Sequence, residues 1–260
     1  MMLYLAGPDG GVAAIKNATK ERPDLVYDTP MLSSFYYMNN AVKEILKKQK
    51  HVVIDSGAFT FFSCGEHPNF DEYTEKYGEF IKGSGVNLFF EMDIDSIVGL
   101  PKVLELRKKL EKITGKQPIP VWHISRGKKQ FLRDAEEYPY IALGGIVSGE
   151  WRGGKTKHFP WFIKSAHEKG AKIHALGYTS LKGLPKYHFD SVDSTGWLAG
   201  GKFGFVWKYK NGTLEKIPAP ARKMLNSKKV VKNNFIEWCK FSSYAKTHFR
   251  RVRKPHEKTI

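Results

Sequence analysis

Short runs of β-branched and aromatic residues alternate along the chain with longer stretches whose apolar positions recur at three- and four-residue steps. The short runs are MLYLAG (2–7), PMLSSFYY (30–37), HVVIDSG (51–57), VNLFFEMD (86–93), IPVWHIS (119–125), YIALGGI (140–146), AKIHALGY (171–178) and FDSVDST (189–195). Their apolar residues fall on both faces, which predicts strands covered on both sides, as in a parallel sheet. Between them NAVKEILKKQ, FDEYTEKYGEFIKGSG, LPKVLELRKKLEKITG and PWFIKSAHEKG read as helices. Several carry a glycine just past the end, where a left-handed cap is favoured.

Eight strands alternating with helices is the count that closes a (β/α)8 barrel of the TIM type, an α/β fold. An open doubly wound sheet also alternates this way, but no GxGxxG follows the first strand. After the eighth strand, FGFVWKYKNGTLEKI sets Asn211-Gly212 between β-rich flanks, which predicts a type I′ β-hairpin over 203–217. The expected organisation is a catalytic barrel over 1–219, hairpin included, followed by a basic helical segment over 220–260 that packs on it.

Charge sharpens this picture. Lys and Arg number 43 against 26 Asp and Glu, a net +17, and residues 220–260 alone hold 12 basic and 2 acidic residues. Phe235, Trp238, Phe241, Tyr244 and Phe249 interleave with these bases. A basic segment carrying aromatics is the footprint of a phosphate-backbone partner, so Lys228, Lys229, Lys232, Arg250, Arg251 and Arg253 are expected to contact nucleic acid. No apolar stretch approaches the roughly 20 residues of a membrane span, and MMLYLAGPDG lacks the features of a secretory leader. The two cysteines, Cys64 and Cys239, follow no metal-binding spacing, which argues against a disulfide framework or a structural zinc. A cytoplasmic protein with no membrane partner is expected.

In a barrel of this kind, chemistry sits at the C-terminal ends of the strands. Asp55 ends strand three, Asp93 strand four, His123 strand five, Gly144-Gly145 strand six and Asp193 strand eight. Carboxylates brought to one mouth repel and shift one another's pKa, an arrangement tolerated for function. Each residue also has a plainer role. Asp55 could cap the Ser56-Gly57 turn, Asp93 and Asp95 could hold a hard cation, Asp190 could close a loop or pair with a lysine, His123 could be a hydrogen-bonded interior histidine, and the glycines could permit close packing.

The segments DSGAF (55–59), FFEMDID (89–95), ALGGIVSGE (142–150), HALGY (174–178) and FDSVDS (189–194) resemble, in order and approximate spacing, the tRNA-guanine transglycosylase superfamily. The resemblance covers roughly residues 50–197. It implies a (β/α)8 barrel that exchanges guanine in a nucleic acid for a free 7-deazaguanine base, with no cofactor and no metal. Asp193 matches the family's nucleophile and Asp55 its general acid/base. Asp93 matches the carboxylate that reads the base's N1–H and exocyclic amine, and Ser56 falls beside Asp55 in that base-binding set. Gly144 and Gly145 fall where a backbone N–H meets the base's O6. Phe59 falls where an aromatic ring stacks on the base, and Leu176 with Gly177 where its other face is covered.

Two departures matter. The three-cysteine, one-histidine zinc site of the tRNA enzymes cannot be built from two cysteines. His123 stands where the family has a glutamine. The chain, shorter than the tRNA enzymes, is most similar to the DNA 7-deazaguanine transglycosylases (DpdA proteins) of phages and bacteria. That implies a DNA partner in preference to tRNA, a preQ0-like base and, for a phage protein, action in the host cytoplasm. The rival readings are a tRNA enzyme, a metal-dependent barrel hydrolase or nuclease using Asp55, Asp93, Asp95 and His123, and a non-catalytic nucleic-acid-binding barrel.

Overall fold

Each of the eight runs forms a parallel strand: β1 (Met2–Ala6), β2 (Met31–Ser34), β3 (Val52–Asp55), β4 (Leu88–Phe89), β5 (Val121–Trp122), β6 (Tyr140–Leu143), β7 (Lys172–Ala175) and β8 (Ser191–Ser194). The computed structural model describes residues 1–65, 68–218 and 226–249, without the side chains of residues 58, 59, 62, 201 and 202. The strands hydrogen-bond in the order β4-β3-β2-β1-β8-β7-β6-β5. The two ends of that order meet. The Ile119 N–H, just before β5, donates to the Phe89 carbonyl (2.7 Å), and the Glu91 N–H donates to the Ile119 carbonyl (3.0 Å). Closure removes the sheet's edges, as an α/β barrel requires.

At two residues each, β4 and β5 are shorter than their apolar runs suggest. Beyond Phe90 the buried Glu91 carboxylate accepts the Val121 N–H (2.8 Å), so a side chain takes the place of a ladder carbonyl. Glu91 is wholly buried, and its charge is met by Arg107 (2.5 Å) and Arg126 (2.7 Å).

The four helical readings hold, as helices Asn40–Leu46, Phe70–Ser84, Leu100–Thr114 and Phe159–Glu168. Asn39 and Asn69 cap the first two, each side chain accepting backbone N–H groups of the first turn. Their apolar faces and the outward strand residues form one layer of core between sheet and helices. Among the described residues no helix is long and apolar enough to cross a membrane.

The hairpin forms from β9 (Phe205–Lys210) and β10 (Thr213–Pro218). Its turn residues, Asn211 (φ 49°) and Gly212 (φ 78°), both take the positive φ of a type I′ turn. The hairpin begins two residues later than expected, because Phe203 still belongs to the helix Gly196–Phe203. The C-terminal helix is Ser227–His248. Its mouth-side half packs on the hairpin, the Asn234 side chain accepting the Trp207 N–H (2.7 Å), and Ser242 Oγ further on donates to the Leu3 carbonyl (2.7 Å).

This helix corrects one expectation. Phe235, Trp238 and Phe241 are buried to within 2% and belong to the barrel's core, so they are not free to stack on bases. Their three-residue spacing puts them on the helix's inner face. Lys232 pairs with Glu21, Lys240 with Glu237 and Lys246 with Asp28, while Lys228 and Lys229 are exposed. Arg250, Arg251 and Arg253 lie outside the described residues.

Candidate active site at the barrel mouth

A strand turns alternate side chains to opposite faces, and in a closed barrel one of those faces is the inside. Tyr4, Leu32, Val53, Val121 and Ala142 form the inner cluster. The residues two further along each strand, Ala6, Ser34, Asp55, His123 and Gly144, line a cavity of about 490 Å³ at the mouth. The same step leads from His174 to Leu176 and from Ser191 to Asp193, both of which line it. Only after β4 is the step three residues, from Phe90 to Asp93, and there the Glu91 side chain meets the two arginines and does not line the cavity. Asp55, Asp93 and Asp193 therefore converge from separate strands. Leu32, Ile146, Val147, Leu176 and Leu198 give the cavity apolar walls. Its volume falls within the roughly 300–1,000 Å³ of small-molecule sites.

Asp193 is buried, and one of its oxygens is held. Oδ1 accepts the Gly177 N–H (2.7 Å) and lies 3.1 Å from His174 Nε2. His174 Nδ1 meets Ser191 Oγ (2.5 Å), which in turn bonds the Tyr140 hydroxyl. Burial pushes the Tyr140 phenol up, so it stays a proton donor. One proton arrangement satisfies the whole chain: Tyr140 donates to Ser191, Ser191 to Nδ1, and Nε2–H to Asp193. Among the described residues Asp193 Oδ2 takes no hydrogen bond. Gly177, expected to cover a base, lines the cavity and also fixes this carboxylate through its N–H.

Asp55 is partly buried and its Oδ2 accepts the Gly57 N–H (2.9 Å), the turn-capping contact. Burial, with added repulsion from Asp93 and Asp193, outweighs that bond and pushes Asp55 up to about 7. The turn itself needs glycine: Gly57 has φ 88°, and a Cβ there would sit 2.5 Å from that of Tyr36. Capping and chemistry thus coexist at Asp55.

His123 lines the cavity, but neither ring nitrogen is open to a base. Nε2 meets Asp93 (2.8 Å) and Nδ1 meets Glu150 (2.7 Å). Burial works against a charged ring; the hydrogen bonds and charges of Asp93, then Glu150 and Asp95, overcome it and raise His123 to about 9. The ring is cationic at neutral pH and orients Asp93. Gly144 makes room for it, since a Cβ there would lie 2.6 Å from the imidazole. Gly145 (φ 75°) likewise clears Glu150.

The Asp93, Asp95 and His123 donor atoms lie within 4.8 Å of one another, the geometry of the metal-site reading. Two cations already serve these carboxylates. Arg126 Nε bonds Asp95 (2.8 Å) and its Nη2 lies 3.8 Å from Asp93, opposite the charged His123. The donor set fits an internal ion pair better than a divalent ion.

Other expectations shift. Ser56 is wholly buried and lies off the cavity lining, its carbonyl accepting the Tyr73 hydroxyl (2.7 Å). Phe59's side chain lies outside the described residues. Asp190 sits at the opposite end of β8, where Oδ2 accepts the Ile173 N–H and pairs with His167, not with a lysine. Glu150, His174 and Asp9 were missed. Glu150 closes the quoted ALGGIVSGE segment, His174 opens HALGY, and Asp9, a fourth mouth carboxylate raised by burial, stands three residues past β1.

No protein-family model matches the chain, and no curated protein matches it. Among solved structures it is similar to the carboxyl transferase domain of Rhizobium etli pyruvate carboxylase. With 3-hydroxypyruvate bound the identity is 12% and the TM-score 0.46; with 3-bromopyruvate they are 13% and 0.48. Each match covers 97% of this chain and 49% of the other, so the chain spans about half the length of those structures. Likeness at this level says nothing of chemistry, and the barrel assignment rests on the chain's own strand order.

Proposed function

We propose that the chain is a DNA-guanine transglycosylase, a pentosyltransferase that exchanges guanine in DNA for a free 7-deazaguanine base. The observation that carries this reading is the meeting of Asp55, Asp93 and Asp193 in one apolar-walled cavity, with Asp55 raised to about 7. Displacing a purine from a sugar passes through an oxocarbenium-like state, which a carboxylate on the ring's open face stabilises and then captures.

Asp193 Oδ2 attacks C1′ while Oδ1 stays held by Gly177 and His174. The C1′–N9 bond breaks, its electron pair passes to guanine, and protonated Asp55 supplies the proton that neutralises the leaving base. The incoming base then gives its N9 proton to Asp55, N9 attacks C1′, and the aspartyl ester bond breaks. Two displacements retain configuration. Asp93, fixed by His123, offers acceptors to the donor edge of the purine. The resemblance in DSGAF, ALGGIVSGE and FDSVDS supports the same roles. Extruding the target guanine costs a few kcal/mol, which backbone contacts must offset.

The test is a trapped intermediate. The full chain, incubated with guanine-containing DNA and quenched in denaturant, should carry an adduct with the mass of the oligonucleotide less guanine, and Asp193→Asn should carry none. Offering tRNA and DNA in parallel identifies the polymer. An Asp193→Asn protein that exchanges labelled guanine at the parent rate would falsify the mechanism.

A further inference from the structure

Two segments on the rim of the mouth are cationic with no counter-charge. Residues 127–130 and 151–161 contain Lys128, Lys129, Arg152, Lys155 and Lys157 and not one Asp or Glu. All five are exposed, and among the described residues none forms a salt bridge. On the C-terminal helix three of the five lysines are already paired, with Glu21, Glu237 and Asp28, which leaves only Lys228 and Lys229 at its start unpaired among the described residues. A paired lysine must break its pair before it can meet a phosphate; an unpaired one need not.

The two segments meet in a groove of about 380 Å³ lined by Ile124, Lys128, Trp151, Lys155, His158 and Trp161. Trp161 leaves 37% of its surface exposed, unusual for so large a ring, and Lys128 Nζ lies 4.8 Å from its centroid. A cationic groove with a partly exposed tryptophan is the pattern of single-strand nucleic-acid binding. The groove also lies directly behind the acidic cavity. Trp151 Nε1 donates to the carbonyl of Gly144 (2.8 Å), and the Ile124 N–H donates to Glu150 (3.1 Å). Gly144 lines the cavity, and Val147, 64% exposed, stands on its rim.

Resting on the nucleic-acid reading above, we infer that this groove, and not the C-terminal helix, is where the substrate strand is held. Phosphates lie against Lys128, Lys155 and Lys157, a base stacks on Trp161, and the neighbouring nucleotide passes over Val147 into the cavity.

The experiment measures binding of the full chain to a fluorescein-labelled single-stranded oligodeoxynucleotide by anisotropy across a salt series. A Lys128→Ala/Lys155→Ala/Lys157→Ala triple variant should flatten the salt dependence by about 2 in log–log slope, roughly 0.7 for each contact on a single strand. Trp161→Ala should weaken binding about fivefold or more. Lys228→Ala/Lys229→Ala should bind almost as the parent does. Because the three lysines are exposed, the triple variant carries the test even if Trp161→Ala loses stability. Parent-like slope and affinity in the triple variant overturn the inference, as does a parent chain that binds no nucleic acid or that uses these lysines on phosphatidylserine vesicles instead. The trapping assay separates the two readings. Binding lost in the variants with no adduct in the parent keeps the groove and removes the transglycosylase, whereas an adduct with unchanged variant binding does the reverse.

Discussion

Replacing Asp55 by asparagine keeps the side chain's shape and its capping acceptor for the Gly57 N–H while removing the ionisable group. The native carboxyl, raised from 3.8 to about 7, binds its proton more tightly folded than unfolded. Folded and unfolded states are equally protonated only well below pH 4. As pH rises through the window from about 4 to about 7 the unfolded chain ionises first, so the parent loses stability, and the loss is complete above 7. Between pH 5 and 8 the difference corresponds to about 2 to 3 kcal/mol. Solvent at the mouth reduces this, leaving about 2 kcal/mol. Urea unfolding followed by tryptophan fluorescence should show the parent falling below Asp55→Asn by that amount as pH is raised, while the variant loses base exchange. Parallel stability curves for the two proteins from pH 5 to 8 would refute the view that burial and two neighbouring carboxylates hold Asp55 protonated.

Removing the guanidinium in Arg126→Met strands Glu91 and Asp95 without their shared cation and should cost about 3 to 5 kcal/mol, read as a fall in thermal midpoint. His174→Ala leaves Asp193 with only the Gly177 N–H on its oriented oxygen. Exchange should slow by about 10²-fold in kcat with KM little altered, since a misplaced nucleophile fails in the transition state more than in binding. An equal effect on KM would assign His174 to substrate contact.

The strand-end acids were legible because a carboxylate closing an apolar run conflicts with its surroundings, and a conflict visible locally needs no knowledge of the fold. The type I′ hairpin was legible for a related reason: Asn211-Gly212 tolerates the positive φ the turn demands. What could not be read depends on distances the chain does not encode locally. Glu91 finds Arg107 and Arg126, 16 and 35 residues on, only after β4 and β5 have met, and that meeting shortens both strands. Glu150 reaches His123 across 27 residues through the Gly144-Gly145 turn. The C-terminal aromatics misled because basic and aromatic residues alternate in sequence yet segregate on a helix. The bases lie on the outer side, exposed or paired with acids, and Phe235, Trp238 and Phe241 turn inward.

The distribution of charge is the reason to look for the strand's path on the rim. A chain of net +17 places Asp9, Asp55, Asp93 and Asp193 together in its one described barrel mouth, with His123 the only cation lining it. Such a cavity repels phosphate and attracts a developing positive charge on a sugar ring, and repulsion of the backbone helps keep all but the extruded nucleoside outside. In the proposed reaction the substrate backbone is therefore held outside the cavity, where cations are unpaired. Lys128 and Lys155 line the groove and Lys157 follows two residues on, all three unpaired among the described residues, whereas Lys232, Lys240 and Lys246 of the C-terminal helix are paired. Raising salt should therefore weaken strand binding steeply while leaving the buried contacts of Asp193 with Gly177 and His174 intact. The salt sensitivity of the exchange reaction should consequently appear in KM and not in kcat.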